Sequence, residues 1–304
     1  MQLKRLTRIS IYLLVLVLSV QTSFAIKNGE LAPKTPLVVP INTPTRPGFS
    51  STCSGTLITP VKVVTAAHCM FNKAGQIPDL IRVGLPGSSN ANTFENMASW
   101  KKVVQVQIAK DLNLDHISND QGDIAILTLE SPILKSPAIK LASITQIKSL
   151  INDQKDLSLF GYGVTAPGYW PDYPSKLIGK ITRDIGQKEF AFVTPTGQMC
   201  DGDSGGPIYY KDGDFYFLVG VVSRSGGIGA CGNFELTATY LNPYLLEFNL
   251  SLEELNQNLV NPLPTASKAP AKVKITSIKC QKSGSIKTIK GTNPKCPTGY
   301  KKII

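Results

Sequence analysis

Ser204 lies in the stretch Cys200–Pro207, whose sequence is CDGDSGGP. A serine that follows an aspartate and precedes two glycines can sit on a tight turn, where backbone N–H groups converge on a carbonyl attacked by its hydroxyl. This is the arrangement of an acyl-transfer nucleophile. Because serine alone is a weak nucleophile, such a site also needs a histidine base and a carboxylate that orients the histidine.

Two further motifs supply these groups. His68 lies in the sequence TAAHC, and Asp123 precedes the apolar run Ile124–Leu127, which predicts a buried strand. In these motifs and in the order His68, Asp123, Ser204, the chain resembles the trypsin/chymotrypsin family of serine endopeptidases. The resemblance implies that His68 is the general base and acid, that Asp123 orients it, and that the N–H groups of Gly202 and Ser204 form the oxyanion hole.

The amino-terminal segment has the features of a secretory signal peptide. Three basic residues precede the apolar run Ile9–Val20, and a small-x-small sequence ends at Ala25. The alternative, a membrane anchor, needs about 20 apolar residues. We therefore expect residues 1–25 to be removed from a secreted, extracellular or surface-associated protein whose mature chain has no transmembrane segment.

Cleavage after Ala25 would leave Ile26-Lys27-Asn28-Gly29 at the amino terminus. In the resembled family a similar terminus folds inward, and its ammonium pairs with the aspartate before the nucleophile, here Asp203. The resemblance thus implies an activation pair of Ile26 and Asp203. The simpler alternative is that Asp203 is only a turn residue and Ile26 merely follows a signal peptide.

Charge is distributed unevenly along the chain. The formal net charge of +11 falls to +8 without the three basic residues of the signal, and ten lysines with no acid lie beyond residue 259. Residues 26–259 therefore carry only about −2, which predicts two units. We expect a trypsin-like protease domain at 26–259, a proline-rich linker at 260–271 and a basic module at 272–304. That module is either a solubilising tail or a site for polyanionic cell-surface polymers, without specificity for nucleic acid.

Short runs rich in β-branched and apolar residues recur between turn residues and predict an all-β fold, closed into barrels or a sandwich. The predicted strands are Gly55–Ile58, Val61–Thr65, Ile81–Val83, Val103–Ile108, Ile124–Leu129, Leu157–Phe160, Phe190–Val193, Pro207–Tyr210, Phe215–Ser223 and Glu235–Leu241. The resemblance narrows this to two six-stranded antiparallel β-barrels with the catalytic cleft between them. Helix is predicted only near the end of the domain, at Pro243–Phe248 and at Ser251–Leu259.

Six cysteines in an exported chain predict three disulfides. The resemblance pairs Cys53 with Cys69 beside the histidine and Cys200 with Cys231 beside the specificity pocket, which leaves Cys280 and Cys296 for the basic module. We expect no metal site and no cofactor, because no Cys-x-x-Cys pair occurs and His116 lies in the polar loop Asp115–Asn119.

Specificity is predicted from Gln198, Ser223 and Ser225. Gln198 stands six residues before the nucleophile, where a trypsin-type pocket needs a carboxylate to hold a basic side chain. Ser223 lies at the position of a serine in the resembled family whose side chain contacts the catalytic aspartate, here Asp123. The backbone of the same strand pairs with substrate in that family. A loose sequence alignment with the family places Leu236 on the far wall of the specificity pocket. We expect small or medium, uncharged side chains rather than strict cleavage after Arg or Lys.

Three classes of function remain. The first is a secreted, monomeric serine endopeptidase that acts on proteins or peptides. The second is an inactive protease homologue that binds a surface through its basic tail. The third, which is compatible with the first, is a surface-adhesion protein whose important part is the basic tail. The complete set of His68, Asp123 and Ser204 favours the first class.

Overall fold

The computed structural model describes residues 26–33, 35, 37–88, 99–113, 122–134, 139–164, 170–226, 230–257, 276–282, 285–291, 296 and 300–303, with backbone alone at 257, 276–278, 282 and 285–291. The predicted signal peptide, the linker and the loop that contains His116 lie outside the described residues. The chain divides between Leu259 and Val260 into two compact units.

Six antiparallel strands form a closed barrel in the first half of the larger unit, in the order β2-β3-β4-β7-β6-β5. Their inward side chains, including Val39, Ile41 and Leu127, make one apolar core. The strands are β2 (Val39–Arg46), β3 (Phe49–Thr59), β4 (Lys62–Thr65), β5 (Arg82–Val83), β6 (Lys101–Ile108) and β7 (Ala125–Leu129), and the two-residue strand β1 (Glu30–Leu31) precedes them.

The second half forms another six-stranded antiparallel barrel, closed by pairing of β9 with β10. Strand β1 extends it beside β10, and the short strand β8 (Ile139–Leu141) runs parallel to β13. Its strands are β9 (Leu157–Gly161), β10 (Ser175–Ile185), β11 (Glu189–Val193), β12 (Pro207–Asp212), β13 (Phe215–Ser225) and β14 (Glu235–Thr239). The predicted all-β fold with two six-stranded barrels is confirmed.

The prediction that helix is confined to the end of the domain is wrong. Helix α1 (Ile144–Asn152) joins the barrels, and Ser143 begins it with a capping box. The Ser143 hydroxyl accepts from the N–H of Gln146, while the Gln146 side chain accepts from the N–H of Ser143. These bonds satisfy N–H groups that a helix start leaves free.

The end of the domain contains less regular helix than predicted. The first predicted stretch, Pro243–Phe248, contains only the end of a 3₁₀ turn, Asn242–Tyr244. The C-terminal helix α2 (Leu252–Gln257) is short, and Ser251 caps it, because its hydroxyl accepts from the N–H of Glu254 at 3.0 Å. Among the described residues, no helix is both long and apolar enough to cross a membrane.

The smaller unit contains a three-stranded antiparallel sheet in the order β16-β15-β17. Its strands are β15 (Thr276–Lys282), β16 (Ser285–Gly291) and β17 (Lys301–Ile303). Cys280 on β15 is fully buried and bonded to Cys296. The lysines at 279, 301 and 302 are exposed.

All three disulfides join the cysteines as the resemblance implies. The other two are Cys53–Cys69 in the first barrel and Cys200–Cys231 in the second. They close loops whose cysteines are 16 and 31 residues apart. Loop closure of this length stabilises a folded chain by about 3 kcal/mol for each bond.

Candidate active site

Strand pairing in the first barrel brings His68 and Asp123 together. Thr65 at the end of β4 lies opposite Ala125 at the start of β7, so the residues just beyond these ends are neighbours. His68 lies in the 3₁₀ turn that follows β4, and Asp123 lies just before β7. The Asp123 carboxylate accepts from the His68 backbone N–H at 2.9 Å and lies 2.8 Å from Nδ1 of its ring.

The second barrel supplies another bond to the same carboxylate. The hydroxyl of Ser223 on β13 donates to Oδ2 of Asp123 at 2.5 Å. Burial alone would raise the pKa of Asp123, but the charge of His68 and the hydrogen bonds from His68 and Ser223 outweigh it and hold that pKa below its usual value. Asp123 is therefore ionised at neutral pH and favours the ring tautomer with its proton on Nδ1.

Ser204 stands on a turn that glycines make possible. Gly202 and Gly205 on either side of it have φ of +99° and +80°, in the left-handed region that other residues rarely adopt. A Cβ at Gly205 would lie 2.1 Å from Oγ1 of Thr65 and 2.2 Å from the carbonyl oxygen of Ser54. The turn therefore packs directly against the first barrel, and the Ser204 hydroxyl lies 3.5 Å from the carbonyl oxygen of Ser223.

The backbone N–H groups of Gly202 and Ser204 were predicted as oxyanion donors. Neither donates a hydrogen bond to any residue that the structure describes. The carbonyl groups of the same two peptide units are tied down, since Asp201 O accepts from Val164 N at 2.8 Å and Asp203 O accepts from Gly206 N at 2.9 Å. The peptide planes are thus fixed while their N–H groups are available for a ligand.

Asp203 is fully buried beneath this turn. Its carboxylate accepts hydrogen bonds from the N–H groups of Cys200 and Gly163, both at 2.7 Å. Burial raises the pKa of Asp203 to about 7; the two backbone bonds oppose this change and the nearby charge of Asp201 adds to it. A Cβ at Gly161 or Gly163 would lie within 2.6 Å of this carboxylate, so the space around it admits only glycine.

Ile26 also lies in the interior, in the apolar core of the second barrel. The next residue, Lys27, forms a two-bond antiparallel bridge with Gln198, and both N–H···O distances are 3.1 Å. The backbone at Lys27 is therefore anchored to the segment that leads to Ser204. Ile26 and Asp203 are both described, and the Ile26 nitrogen, an amide in this chain, does not donate a hydrogen bond to the Asp203 carboxylate.

The predicted pocket residues come from three neighbouring segments. Gln198 is partly buried and offers no negative charge. Ser225 is partly buried at the end of β13, and a Cβ at Gly232 would lie 1.6 Å from its hydroxyl oxygen. Ser223 is bonded to Asp123 as described above. Leu236 pairs with Ser225 across the sheet and lies almost completely buried in the core of the second barrel.

Two polar clusters near these segments were not predicted. Arg224 donates to both carboxylate oxygens of the buried Glu189, at 2.9 and 3.1 Å. Lys188 forms an ion pair with Asp111, which belongs to the first half of the domain. Sequence alone could not pair these residues, because their partners are at least 35 positions away.

Ser54 is the other residue that sequence analysis overlooked. It is a fully buried polar side chain within the strand CSGTLI, and it bonds to residues more than 100 positions away. A serine next to a predicted disulfide cysteine was the only local signal.

Cys53, His68 and Cys69 lie close enough together to suggest a metal site among the described residues. The two sulfur atoms are bonded to each other, so neither is available as a thiolate. This cluster therefore does not supply a metal ligand set.

Comparison with known proteins relates this geometry to a family. A trypsin family model matches residues 27–245. A trypsin of the bacterium Saccharopolyspora erythraea is 28% identical over 231 residues, which cover 70% of this chain and 93% of that protein. A trypsin of Phaedon cochleariae is 29% identical over 187 residues, which cover 56% of this chain and 67% of that one.

Spermosin of Halocynthia roretzi is 26% identical over 216 residues, which cover 66% of this chain. The match spans about half of the length of spermosin, 53%. The family match itself takes in well over half of the present chain and includes both barrels and the residues at their junction. On that match and on its two barrels, the chain belongs to the trypsin family of serine proteases.

Proposed function

We propose that this protein is a secreted serine endopeptidase that hydrolyses peptide bonds through an acyl-enzyme on Ser204. The observation that carries the proposal is the bond between Nδ1 of His68 and the buried carboxylate of Asp123, at 2.8 Å, beside the glycine-flanked turn of Ser204. A charged carboxylate in that position favours the proton on Nδ1 and leaves the lone pair of the imidazole on Nε2, which can accept the proton of a nucleophile.

In the proposed acylation, the Ser204 oxygen forms a bond to the substrate carbonyl carbon while its proton passes to Nε2 of His68. The negative charge that develops on the carbonyl oxygen is stabilised by the N–H groups of Gly202 and Ser204. His68 then gives its proton to the leaving amine as the C–N bond breaks. A water molecule repeats the sequence, and the acyl group leaves Ser204 as a carboxylic acid.

We infer that cleavage after Ala25 activates the enzyme, because the new ammonium of Ile26 can pair with Asp203. Support comes from the buried carboxylate, which has two N–H donors and no ion pair with any described residue. In the uncut chain Ile26 has φ of +61°, which is strained for a β-branched residue. Cleavage removes the preceding carbonyl, with which Cβ clashes at positive φ, and so relieves that strain.

The proposed substrates have uncharged side chains on the acyl side of the cut. Gln198 provides no carboxylate to neutralise a buried Arg or Lys, and burial of an unpaired charge is unfavourable. The buried Leu236 and the contact of Ser225 with Gly232 support a shallow pocket.

A second activity is proposed for the basic unit, which would bind anionic surface polymers. The exposed lysines at 279, 301 and 302 support it, since Lys279 and Lys302 extend from neighbouring strands of one small sheet. Such binding would depend on charge rather than sequence and would weaken with added salt. A chain that ends at Val260 should lose retention on a heparin column yet keep peptide hydrolysis; equal retention would leave the unit as a solubilising tail.

Hydrolysis of a mixed peptide library by the exported protein tests the enzymatic proposal. We expect cleavage by the wild type and none by Ser204→Ala or His68→Ala, because these changes remove the nucleophile or the base and little of the core. Circular dichroism would check that both variants are folded. Equal turnover by a folded variant would refute the assigned roles, and a folded but inactive wild type would favour the surface-binding homologue.

A further inference from the structure

Ser54 connects the first barrel to the turn that holds the nucleophile. It lies on β3 and is fully buried. Its backbone N–H donates to the carbonyl oxygen of Ser204 at 2.8 Å. Its hydroxyl makes two further bonds: it donates to the carbonyl oxygen of Gly202 at 2.8 Å and accepts from the N–H of Tyr162 at 2.9 Å.

The direction of the Ser54 hydroxyl is determined by these partners. A backbone N–H can only donate, so the bond from Tyr162 uses a lone pair of the serine oxygen. A carbonyl oxygen can only accept, so the single hydroxyl proton is directed at Gly202. Both bonds are buried, and an aliphatic side chain at residue 54 would leave two backbone groups without partners.

The carbonyl of Gly202 belongs to the peptide unit between the two proposed oxyanion donors. The N–H of that same unit, from Asp203, donates to Cys200 O at 3.0 Å. The hydroxyl of Ser54 holds the opposite side of the plane. The peptide units before and after it carry the N–H groups of Gly202 and Ser204. Rotation of the middle plane would therefore change the angle between the two donors.

We infer that the Ser54 side chain is a positioning residue for the oxyanion hole, an inference that rests on the proposed peptidase function. The hydroxyl does not touch the substrate. It acts through Gly202, by keeping two N–H groups directed at one point. Two donors that converge before the reaction stabilise the developing charge without reorganisation, which is the condition for their effect on rate.

Replacement of Ser54 by alanine tests this inference, with Ser175→Ala as a matched control. Ser175 is also fully buried, but its hydroxyl has no hydrogen-bond partner among the described residues. Each exported variant would be assayed for kcat and KM, for inhibition by a peptide aldehyde, and for amide hydrogen exchange in residues 200–206. The aldehyde forms an adduct with an oxyanion, whereas KM mainly reports ground-state binding.

For Ser54→Ala we expect kcat to fall by about tenfold or more. This is less than the loss of about 10²-fold that is typical when one oxyanion donor is removed completely, because both donors remain in this variant. The affinity for the aldehyde should fall by a similar factor, KM should change by less than about threefold, and exchange at 200–206 should become faster. Ser175→Ala should change none of these. Ser54→Thr, which keeps a hydroxyl, should recover part of kcat where it folds.

Wild-type kcat and aldehyde affinity in a folded Ser54→Ala variant would overturn the inference and leave the peptidase proposal intact. Equal losses in both serine variants would also overturn it, because they would indicate a general effect of cavities in the fold. If the wild type itself fails to hydrolyse peptides, the proposed function is refuted. The positioning role would still be tested separately, because unchanged amide hydrogen exchange at residues 200–206 in Ser54→Ala would refute it.

Discussion

Asp123 and Asp203 are two buried carboxylates in the larger unit, and they differ in what compensates their charge. Asp123 has a histidine ring, a backbone N–H and a serine hydroxyl around it, and its pKa is lowered. Asp203 has two backbone N–H groups, and its pKa is raised to about 7. Burial acts in the same direction on both, so the neighbouring groups decide the outcome.

The difference suggests that the two regions depend on different events. The Asp123 region has its partners in the uncut chain, because all of them lie within residues 68–223. The Asp203 region has backbone donors but lacks a cation among the described residues that contact it. A cation at the end of a cleaved chain would complete it, as the proposed activation by cleavage after Ala25 requires.

The largest effect is expected from Asp123→Asn, which keeps the shape of the triad but removes its charge. An amide would favour the wrong tautomer of His68, and loss of this kind lowers kcat by about 10⁴-fold in enzymes of the trypsin family. The measurement is kcat for a peptide substrate, with thermal unfolding as the check on folding. A loss below tenfold would show that the carboxylate at 123 does not orient the base.

The second prediction concerns the stability of a chain that begins one residue ahead of Ile26 and carries Ser204→Ala. In the folded state Asp203 would hold its proton up to a pKa of about 7, whereas the unfolded carboxylate releases it near 3.8. Stability should thus be full below about pH 4 and decrease by about 4 kcal/mol as the pH rises through 7. Urea unfolding at pH 4.5 and 7.5 should record about 3 kcal/mol of this decrease, because part of it has already occurred at pH 4.5.

Two controls distinguish Asp203 from the rest of the protein in that experiment. Asp203→Asn should remove most of the decrease, because the amide does not titrate. The chain that begins at Ile26 should also show a smaller decrease, because its ammonium favours the ionised carboxylate. Identical pH dependence in all three chains would show that Asp203 has a partner before cleavage. Asp123 contributes in the opposite sense, since its lowered pKa affects stability only below about pH 4.

The smallest effect is expected from a third carboxylate, introduced by Gln198→Asp. Residue 198 is only partly buried, so water would partly solvate the new carboxylate in the free enzyme. The carboxylate would form an ion pair only when a substrate with a basic side chain is bound. We expect the ratio of kcat/KM for Arg over Leu substrates to rise by about tenfold, less than for a fully buried pair. Gln198→Glu is the control for pocket length. A wild-type preference for Arg or Lys would refute the assignment of this pocket.

The resemblance of three short motifs to those of the trypsin family predicted the fold and the disulfides correctly. The composition of the strands alone did not distinguish a barrel from a sandwich. Strand β2 was missed because Pro40 and Pro44 interrupt it, yet Pro40 still accepts a bond from Gly84 N through its carbonyl. Strand β10 was missed because charged residues separate its apolar ones. Helix α1 was missed although its capping residues, Ser143 and Gln146, have the expected spacing.

The parts of the site that sequence could not predict are contacts between distant segments. Ser54 meets Tyr162 and Gly202, which are 108 and 148 positions away, and no local pattern encodes such a meeting. Glu189 and Arg224 likewise meet only because β11 and β13 both flank β14. Local patterns report burial and turns, whereas these polar bonds depend on how the closed barrels bring loops together.

The most direct test of the account is covalent labelling of Ser204 by a fluorophosphonate, which requires an activated serine and no knowledge of the substrate. Labelling would be followed by intact mass, with peptide mapping to locate the label and the amino terminus. We predict one label, on Ser204, in an exported chain that begins at Ile26, about 10²-fold slower labelling when one residue precedes Ile26, and none in His68→Ala. A folded chain beginning at Ile26 that takes up no label, or equal labelling with and without the added residue, would contradict the account.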